Sequence, residues 1–272
     1  MSQPLITLAD GQSIPQLGLG LWQVKDETAF ITAFVAAINA GYRHFDSAQI
    51  YGNEQLIPAG LKASGVIRED IFITTKISVT NFGSKRTASS FEESLEKLQT
   101  DYVDMLLLHF PVTGVRKSSW LELERIHAAG KALSIGVSNY TINHLEQMKK
   151  YATAMPAVNQ VELHVFLQQP ELREYCAQHN IVIEAYSPLA HSKQMDNPTI
   201  QNIADKHGKS YAQIMLRWCV QLGMIVLPKS VTPERIEQNA QIFDFELDAN
   251  DLQELEQLDE DLRTCWDPTH IP

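Results

Sequence analysis

Short apolar runs recur along the 272-residue chain, and seven of them end on, or run straight into, a polar residue able to do chemistry. They are RHFD ending at Asp46, IFITTK ending at Lys76, YVDMLLLH ending at His109, and LSIGVSN ending at Ser138 and Asn139. VNQVE with Gln160, IVIEAYS ending at Tyr186 and Ser187, and MIVLPKS ending at Lys229 and Ser230 complete the set. Between them, apolar residues fall at helical spacing and predict helices over 27–39, around 53–63, and over 87–99, 118–129, 141–150 and 170–179. Further helices are predicted near 198–206, 210–222, 233–241 and 248–258. Gly41 and Gly130 follow two of these stretches as stop signals. LGLGLW at 17–22 supplies an eighth apolar run, with glycines suited to lie near a ligand.

Strands alternating with helices imply βαβ units and a parallel sheet. A count of eight favours closure, so the expected fold is α/β, a (β/α)8 TIM barrel. An N-terminal β-hairpin turning at Asp10-Gly11 precedes it, and extra C-terminal helices follow. The whole span 1–272 reads as a single domain, because barrels of roughly 250 residues are routinely one domain. In such a barrel the active site collects residues from the carboxyl ends of many strands, which is where the polar residues of the repeated runs fall.

The chain carries a net charge of -11, which disfavours non-specific binding to nucleic acid or anionic lipid. Neither is expected as a partner. Cys176, Cys219 and Cys265 are widely spaced with no metal-type pair, as expected of a reduced, cytoplasmic protein. MSQPLITLADGQSIP has neither the basic start nor the apolar centre of a signal peptide. No apolar stretch reaches the ~18 residues that a membrane helix needs.

Two clusters carry candidate chemistry. In LPKSVTPERI, Lys229 and Ser230 sit at a strand end, Thr232 suits an N-cap, Pro233 suits the first helical position, and Arg235 lies in the first turn. A helix N-terminus offers free N–H groups and partial positive charge, so two added cations make an anion site. The plainer reading is a capped helix with solvated cations. No Rossmann or Walker fingerprint is present, so a nucleotide would be held by other means. Asn139 and Gln160 are suited to fix a carboxamide, and the Tyr186 ring to stack on a flat heterocycle. In the second cluster, Tyr51 is a poor acid at its ordinary pKa of about 10. A neighbouring ammonium from Lys76, itself held by Asp46, would lower that value. His109 would hydrogen-bond a substrate oxygen. Taken one at a time, Tyr51 is as readily a packed aromatic and His109 a core histidine.

The stretches GYRHFDSAQIYGNE, KLQTDYVDMLLLHFP, GKALSIGVSN, VNQVELH, AYSPL and LPKSVTPERIEQN, in this order, closely resemble the aldo-keto reductase family over nearly the whole chain. The short bacterial members, similar to 2,5-diketo-gluconate and methylglyoxal reductases, are the nearest in form. The resemblance implies a barrel that uses NADPH without a Rossmann domain and acts as a monomer. By the same resemblance Asp46, Tyr51, Lys76 and His109 match the catalytic tetrad, with Tyr51 the proton donor. Ser138, Asn139 and Gln160 match the nicotinamide-amide contacts and Tyr186 the stacking ring. Gly20, Ser187 and Leu189 match the cofactor's surroundings, the last two at the pyrophosphate. Lys229, Ser230, Val231 and Arg235 match the residues about the 2′-phosphate, and Gln238 and Asn239 those beside the adenine.

Departures from the family concern the substrate. Phe110 stands where a tryptophan often follows the histidine, and Lys76-Ile77-Ser78-Val79 lacks the tryptophan that often follows the lysine. Gln238 replaces a common glutamate, and VELHVF lacks the usual histidine-proline pair. The segment between Pro111 and Trp120 and the tail are short. Trp22 is then the expected pocket wall, with Phe82 and Trp266 beside it, around an open pocket for small aldehydes and ketones. Two other classes stand against this reading. One is a nucleotide-binding redox sensor with slow catalysis. The other is a metallohydrolase using Asp46, His109 and Glu162, although the histidines show no ligand pattern.

Overall fold

The computed structural model describes residues 3–272. The eight apolar runs form one parallel sheet in chain order: β3 (Gly18–Gly20), β4 (His44–Asp46), β5 (Phe72–Ile77), β6 (Val103–Leu108), β7 (Ala132–Ser138), β8 (Val158–Glu162), β9 (Val182–Tyr186) and β10 (Ile225–Leu227). The last strand returns to the first through a parallel bridge between Leu17 and Val226. Val226 N donates to Gln16 O, and Gly20 N donates to Pro228 O, each at 3.0 Å. These contacts close the sheet into a barrel. Ahead of it, β1 (Leu5–Thr7) and β2 (Ser13–Pro15) pair antiparallel around the predicted turn, where Gly11 adopts φ 88°. The (β/α)8 barrel with its N-terminal hairpin is therefore as the pattern of runs predicts.

Helices fill the connections: α1 (Glu27–Asn39), α2 (Ile57–Ser64), α3 (Ser84–Leu98), α4 (Arg116–Ala128), α5 (Ile142–Met148) and α6 (Pro170–Gln178). The β9–β10 connection holds two, α7 (Pro198–His207) and α8 (Tyr211–Gln221), while α9 (Pro233–Ala240) and α10 (Ala249–Glu256) follow β10. Most boundaries fall within two residues of expectation, and two differ by three or more. The stretch near 53–63 begins as a 3-10 turn, Glu54–Leu56, before α2. Helix α3 starts three residues earlier than Thr87 suggests, because Thr87 is buried and its hydroxyl donates to Asn81 O rather than capping.

Because side chains alternate across a strand, each run divides between two cores. Outward residues such as Phe45, Ile73, Leu106, Val137 and Val161 pack under the helices in one large cluster. Phe34 of α1 stacks on Phe45 with centroids 3.9 Å apart. Inward residues at the amino end, Phe72, Met105, Leu107, Val158 and Ile225, join Leu8 and Ile14 of the hairpin in a second cluster that plugs the barrel. Gly136 belongs inside because a Cβ there would lie 2.7 Å from both Leu107 Cδ2 and Val158 O. Above the plug the inward positions turn polar: His44, Thr74 and Glu184, then Asp46, Lys76 and Gln160, all buried. Among the described residues, no helix is long and apolar enough to cross a membrane.

Candidate active site

At the carboxyl ends of the strands lies a cavity of about 670 Å³, within the range of small-ligand sites. Its floor is built from strand ends. Asp46 closes β4, and Lys76, one residue from the end of β5, is buried beneath the floor. Lys76 Nζ donates to Asp46 Oδ1 at 2.6 Å, to Ser47 O at 2.9 Å and to Tyr51 Oη at 3.3 Å. The cation is thereby fixed between a carboxylate and a phenol.

Tyr51 comes from the turn after β4 rather than from a strand, so its position depends on how that turn is tied down. Asn53 accepts from Ser47 Oγ and donates to Leu21 O and Val24 O. Gln49 Oε1 accepts from Ser78 N and from Asn81 Nδ2 beyond β5. Glu54 accepts from Thr75 Oγ1 at 2.6 Å. Together these bonds hold the segment 47–54 against two strand ends. His109 directly follows β6, and its ring faces that of Tyr51 edge-on at 5.8 Å.

Burial governs the ionisation of the group. It pushes the Tyr51 phenol above its ordinary range, while the Lys76 charge acts in the opposite direction. The Lys76 charge thus favours the phenolate as expected, but desolvation outweighs it and the net shift is upward. Lys76 is disfavoured by burial but held charged chiefly by Asp46, with a net upward shift. His109 is lowered to about 3 by burial and by the Lys76 charge, so its imidazole is neutral at physiological pH.

The remaining strand ends form one side of the cavity. Ser138 Oγ donates to Gln160 O at 2.9 Å, and Asn139, in the left-handed region at φ 64°, donates to Ser138 Oγ and His109 O. Tyr186 Oη donates to Asn139 Oδ1 at 2.8 Å. Both amide hydrogens of Gln160 are engaged, one by Asp46 Oδ2 at 2.8 Å and one by Glu184 Oε2 at 2.7 Å. Its Oε1 is left as an acceptor on the cavity side. Gly20, Ser187, Leu189 and Lys229 also line the cavity. Ser230, Val231, Arg235 and Gln238 lie beyond its edge, with Val231, Arg235 and Gln238 exposed, and Asn239 is buried in α9. Thr232 precedes α9 as expected, but its side chain makes no cap bond; Ser230 Oγ instead accepts from Thr232 N.

The pocket walls match expectation only in part. Trp22 and Trp266 line the rim, 43% and 61% exposed. Phe82 does not line it; it is buried in the large hydrophobic core, and that assignment is corrected. Phe110 lies outside the cavity wall and packs edge-on against Trp266 at 6.1 Å. Sequence reasoning missed Gln23, Ile50, His191, Ser192, Thr264 and Cys265, which also face the cavity. Ile50 lies in the turn that carries Tyr51, His191 and Ser192 in a 3-10 turn after β9 and the others in loops, and none stands in a strand-end pattern. The Glu162 carboxylate, one member of the metal alternative, is taken up by Thr264 N at 2.7 Å and Cys265 N at 3.0 Å, which pins the tail segment over the site. Asp46, a second member, is taken up by Lys76.

Comparison with known proteins agrees with this arrangement. The aldo/keto reductase family model matches residues 16–260. The glyoxal reductase of Bacillus subtilis is 43% identical over 98% of this chain and 96% of its own length. A methylglyoxal reductase of Salmonella typhimurium is 41% identical over 98% of each. The crystal structure of an aldo-keto reductase from Bombyx mori in complex with NADP superposes with a TM-score of 0.91 at 30% identity, covering 97% of this chain and 95% of that one. With a closed barrel, a buried lysine set between Asp46 and Tyr51 at its mouth, and relatives matched end to end, the chain belongs to the aldo/keto reductase family.

Proposed function

We propose that the protein reduces small aldehydes and ketones, 2-oxoaldehydes among them, to alcohols with NADPH, and that Tyr51 is the proton donor. The observation that carries this reading is Lys76 Nζ held between Asp46 Oδ1 at 2.6 Å and Tyr51 Oη at 3.3 Å on the floor of the cavity. The family and the relatives named for glyoxal and methylglyoxal reduction support it.

Residues around the cavity fit a nicotinamide dinucleotide. Gln160 offers Oε1 with no protein donor to satisfy it, as a carboxamide N–H requires. Tyr186 presents its ring at the strand end with the hydroxyl tethered to Asn139. Lys229 lines the cavity, and Arg235 lies in the first turn of α9, where a phosphate meets the positive end of the helix. When bound, the cofactor supplies the hydride. Tyr51 then gives its proton to the oxygen of the reduced carbonyl, and the resulting phenolate is stabilised by the Lys76 ammonium 3.3 Å away. Asp46 keeps that ammonium charged in a buried site. Neutral His109 donates a hydrogen bond to the carbonyl oxygen without competing for the proton, and so orients it. The exposed Trp22 and Trp266 leave room for small substrates and give bulky ones little enclosing surface.

The test is NADPH consumption by the purified protein with methylglyoxal, a nitrobenzaldehyde and a bulky steroid ketone. Turnover with the first two, at higher kcat/KM than with the third, is expected. No consumption with any carbonyl overturns the activity, and a preference for the steroid overturns the open pocket.

A further inference from the structure

Glu184 is a buried carboxylate beside the site that the reaction scheme above leaves unused. It points into the barrel from the middle of β9 with no solvent exposure. Its Oε2 accepts from Gln160 Nε2 at 2.7 Å, and the same nitrogen gives its other hydrogen to Asp46 Oδ2 at 2.8 Å. Asp46 in turn accepts from Lys76, which reaches Tyr51. An unbroken path of hydrogen bonds thus runs from Glu184 to the reacting phenol.

The surroundings of the other oxygen set Glu184 apart from a structural side chain. Oε1 has no hydrogen-bond partner. Its neighbour His44 Nε2 lies 3.6 Å away and bonds instead to Thr74 Oγ1 at 3.0 Å. An unmatched buried oxygen is unfavourable, and an apolar side chain would fill the space more cheaply. The charged and titratable groups facing Glu184 are Asp46 and Lys76 at the carboxyl end, with Tyr51 behind them, and His44 from β4. The backbone partner in β10 is Ile225, which has no ionisable group. Gln160 of β8 carries none either.

We propose that Glu184 is a positioning residue for the reduction: through Gln160 it fixes the amide that faces the cofactor site and sets the net charge around Lys76 and Tyr51. The inference rests on Tyr51 being the acid. Burial and the Asp46 charge push the Glu184 carboxyl well above the usual carboxylate range, so it is neutral near pH 7 and ionises in the alkaline range. Burial lowers His44 to about 3, so it contributes no charge there. Once ionised, Glu184 adds a negative charge that favours phenol over phenolate and holds the proton on Tyr51 to higher pH.

Glu184→Gln keeps an acceptor for Gln160 and removes the ionisation. Profiles of kcat against pH for NADPH-dependent reduction of methylglyoxal test the proposal, read as the ratio of variant to wild type. The ratio is expected to fall by roughly threefold to tenfold between neutral pH and the alkaline limb. The rising limb of alcohol oxidation, which needs the phenolate, should move to lower pH as well. A purely structural role predicts a ratio independent of pH, and that result overturns the proposal. Glu184→Ala, which removes the acceptor, should also raise the NADPH Kd severalfold by freeing the Gln160 amide; an unchanged Kd overturns the positioning role. If the Gln variant does not fold, the infrared band of a protonated buried carboxyl decides in the wild type: its loss in step with the alkaline limb supports the proposal, and its absence at neutral pH refutes it. Full activity in Tyr51→Phe would sink the acid assignment itself, whereas an inactive Tyr51→Phe with a pH-independent Glu184→Gln ratio sinks only the role of Glu184.

Discussion

The two ends of the barrel are made by the same strands and have opposite chemistry. At the amino end, Phe72, Met105 and Val158 point inward onto Leu8 and Ile14 of the hairpin, and nothing polar is asked of them. Four residues further along the first two strands the inward positions are Lys76 and His109, and two further along the third is Gln160. Burial of apolar surface at the amino end is favourable by about 25 cal/mol per Å² and needs no particular partner. At the carboxyl end each buried group is tolerable only with a partner in place: Lys76 with Asp46, Asp46 with Gln160, Tyr186 with Asn139. The plug can therefore hold the barrel together while the mouth carries groups that burial alone would disfavour.

The sharpest way to break this contrast is Lys76→Met. It leaves the buried Asp46 carboxyl without its cation, which should reduce stability by about 3–5 kcal/mol in urea unfolding. It also removes the charge beside Tyr51, so kcat should fall by about 10²–10⁴-fold. Leu107→Ala in the plug is the converse. It should cost about 2–5 kcal/mol by leaving a cavity, while kcat stays within a few-fold of wild type. A large loss of kcat in a folded Leu107→Ala protein would show that the two ends are not separable.

Smaller effects sharpen the picture of the mouth. Lys229→Ala should raise the KM for NADPH by about tenfold, the size of one charge-assisted hydrogen bond, with less change for NADH. Equal increases for both cofactors would remove Lys229 from the 2′-phosphate. The smallest expected effect is a flat line. An imidazole lowered to about 3 takes up its proton only near that pH, so moving from pH 8 down to pH 5 does not charge His109. The rate of reduction should show no inflection at the ordinary histidine value, about 6.5. An inflection there that disappears in His109→Asn would contradict the neutral donor.

The contrast also explains what was legible in the sequence. The barrel could be read because each strand is a run bounded by turn signals, and because polar residues mark the carboxyl end of each run. Asp46, Lys76, Ser138, Gln160 and Tyr186 sit on regular strands whose alternation decides which way they point. Tyr51 lies in a turn fixed by Gln49 and Asn53, and only the motif resemblance placed it. Phe82 was misplaced because an aromatic near a strand end joins the core as readily as it lines a pocket. Cys265 and His191 come from loops whose paths are set by distant contacts, such as the Glu162 clamp on residues 264 and 265. Glu184 sat within the IVIEAYS run, but that it shares the Gln160 amide with Asp46 appears only when three strands are brought together.

Tyr51→Phe tests the central claim most directly, because it removes one hydroxyl at the cavity floor and leaves the ring in place. NADPH-dependent turnover of methylglyoxal should fall by about 10²–10⁴-fold, with the melting temperature and NADPH binding close to wild type. Turnover equal to the wild-type rate in that folded variant would show that another group supplies the proton.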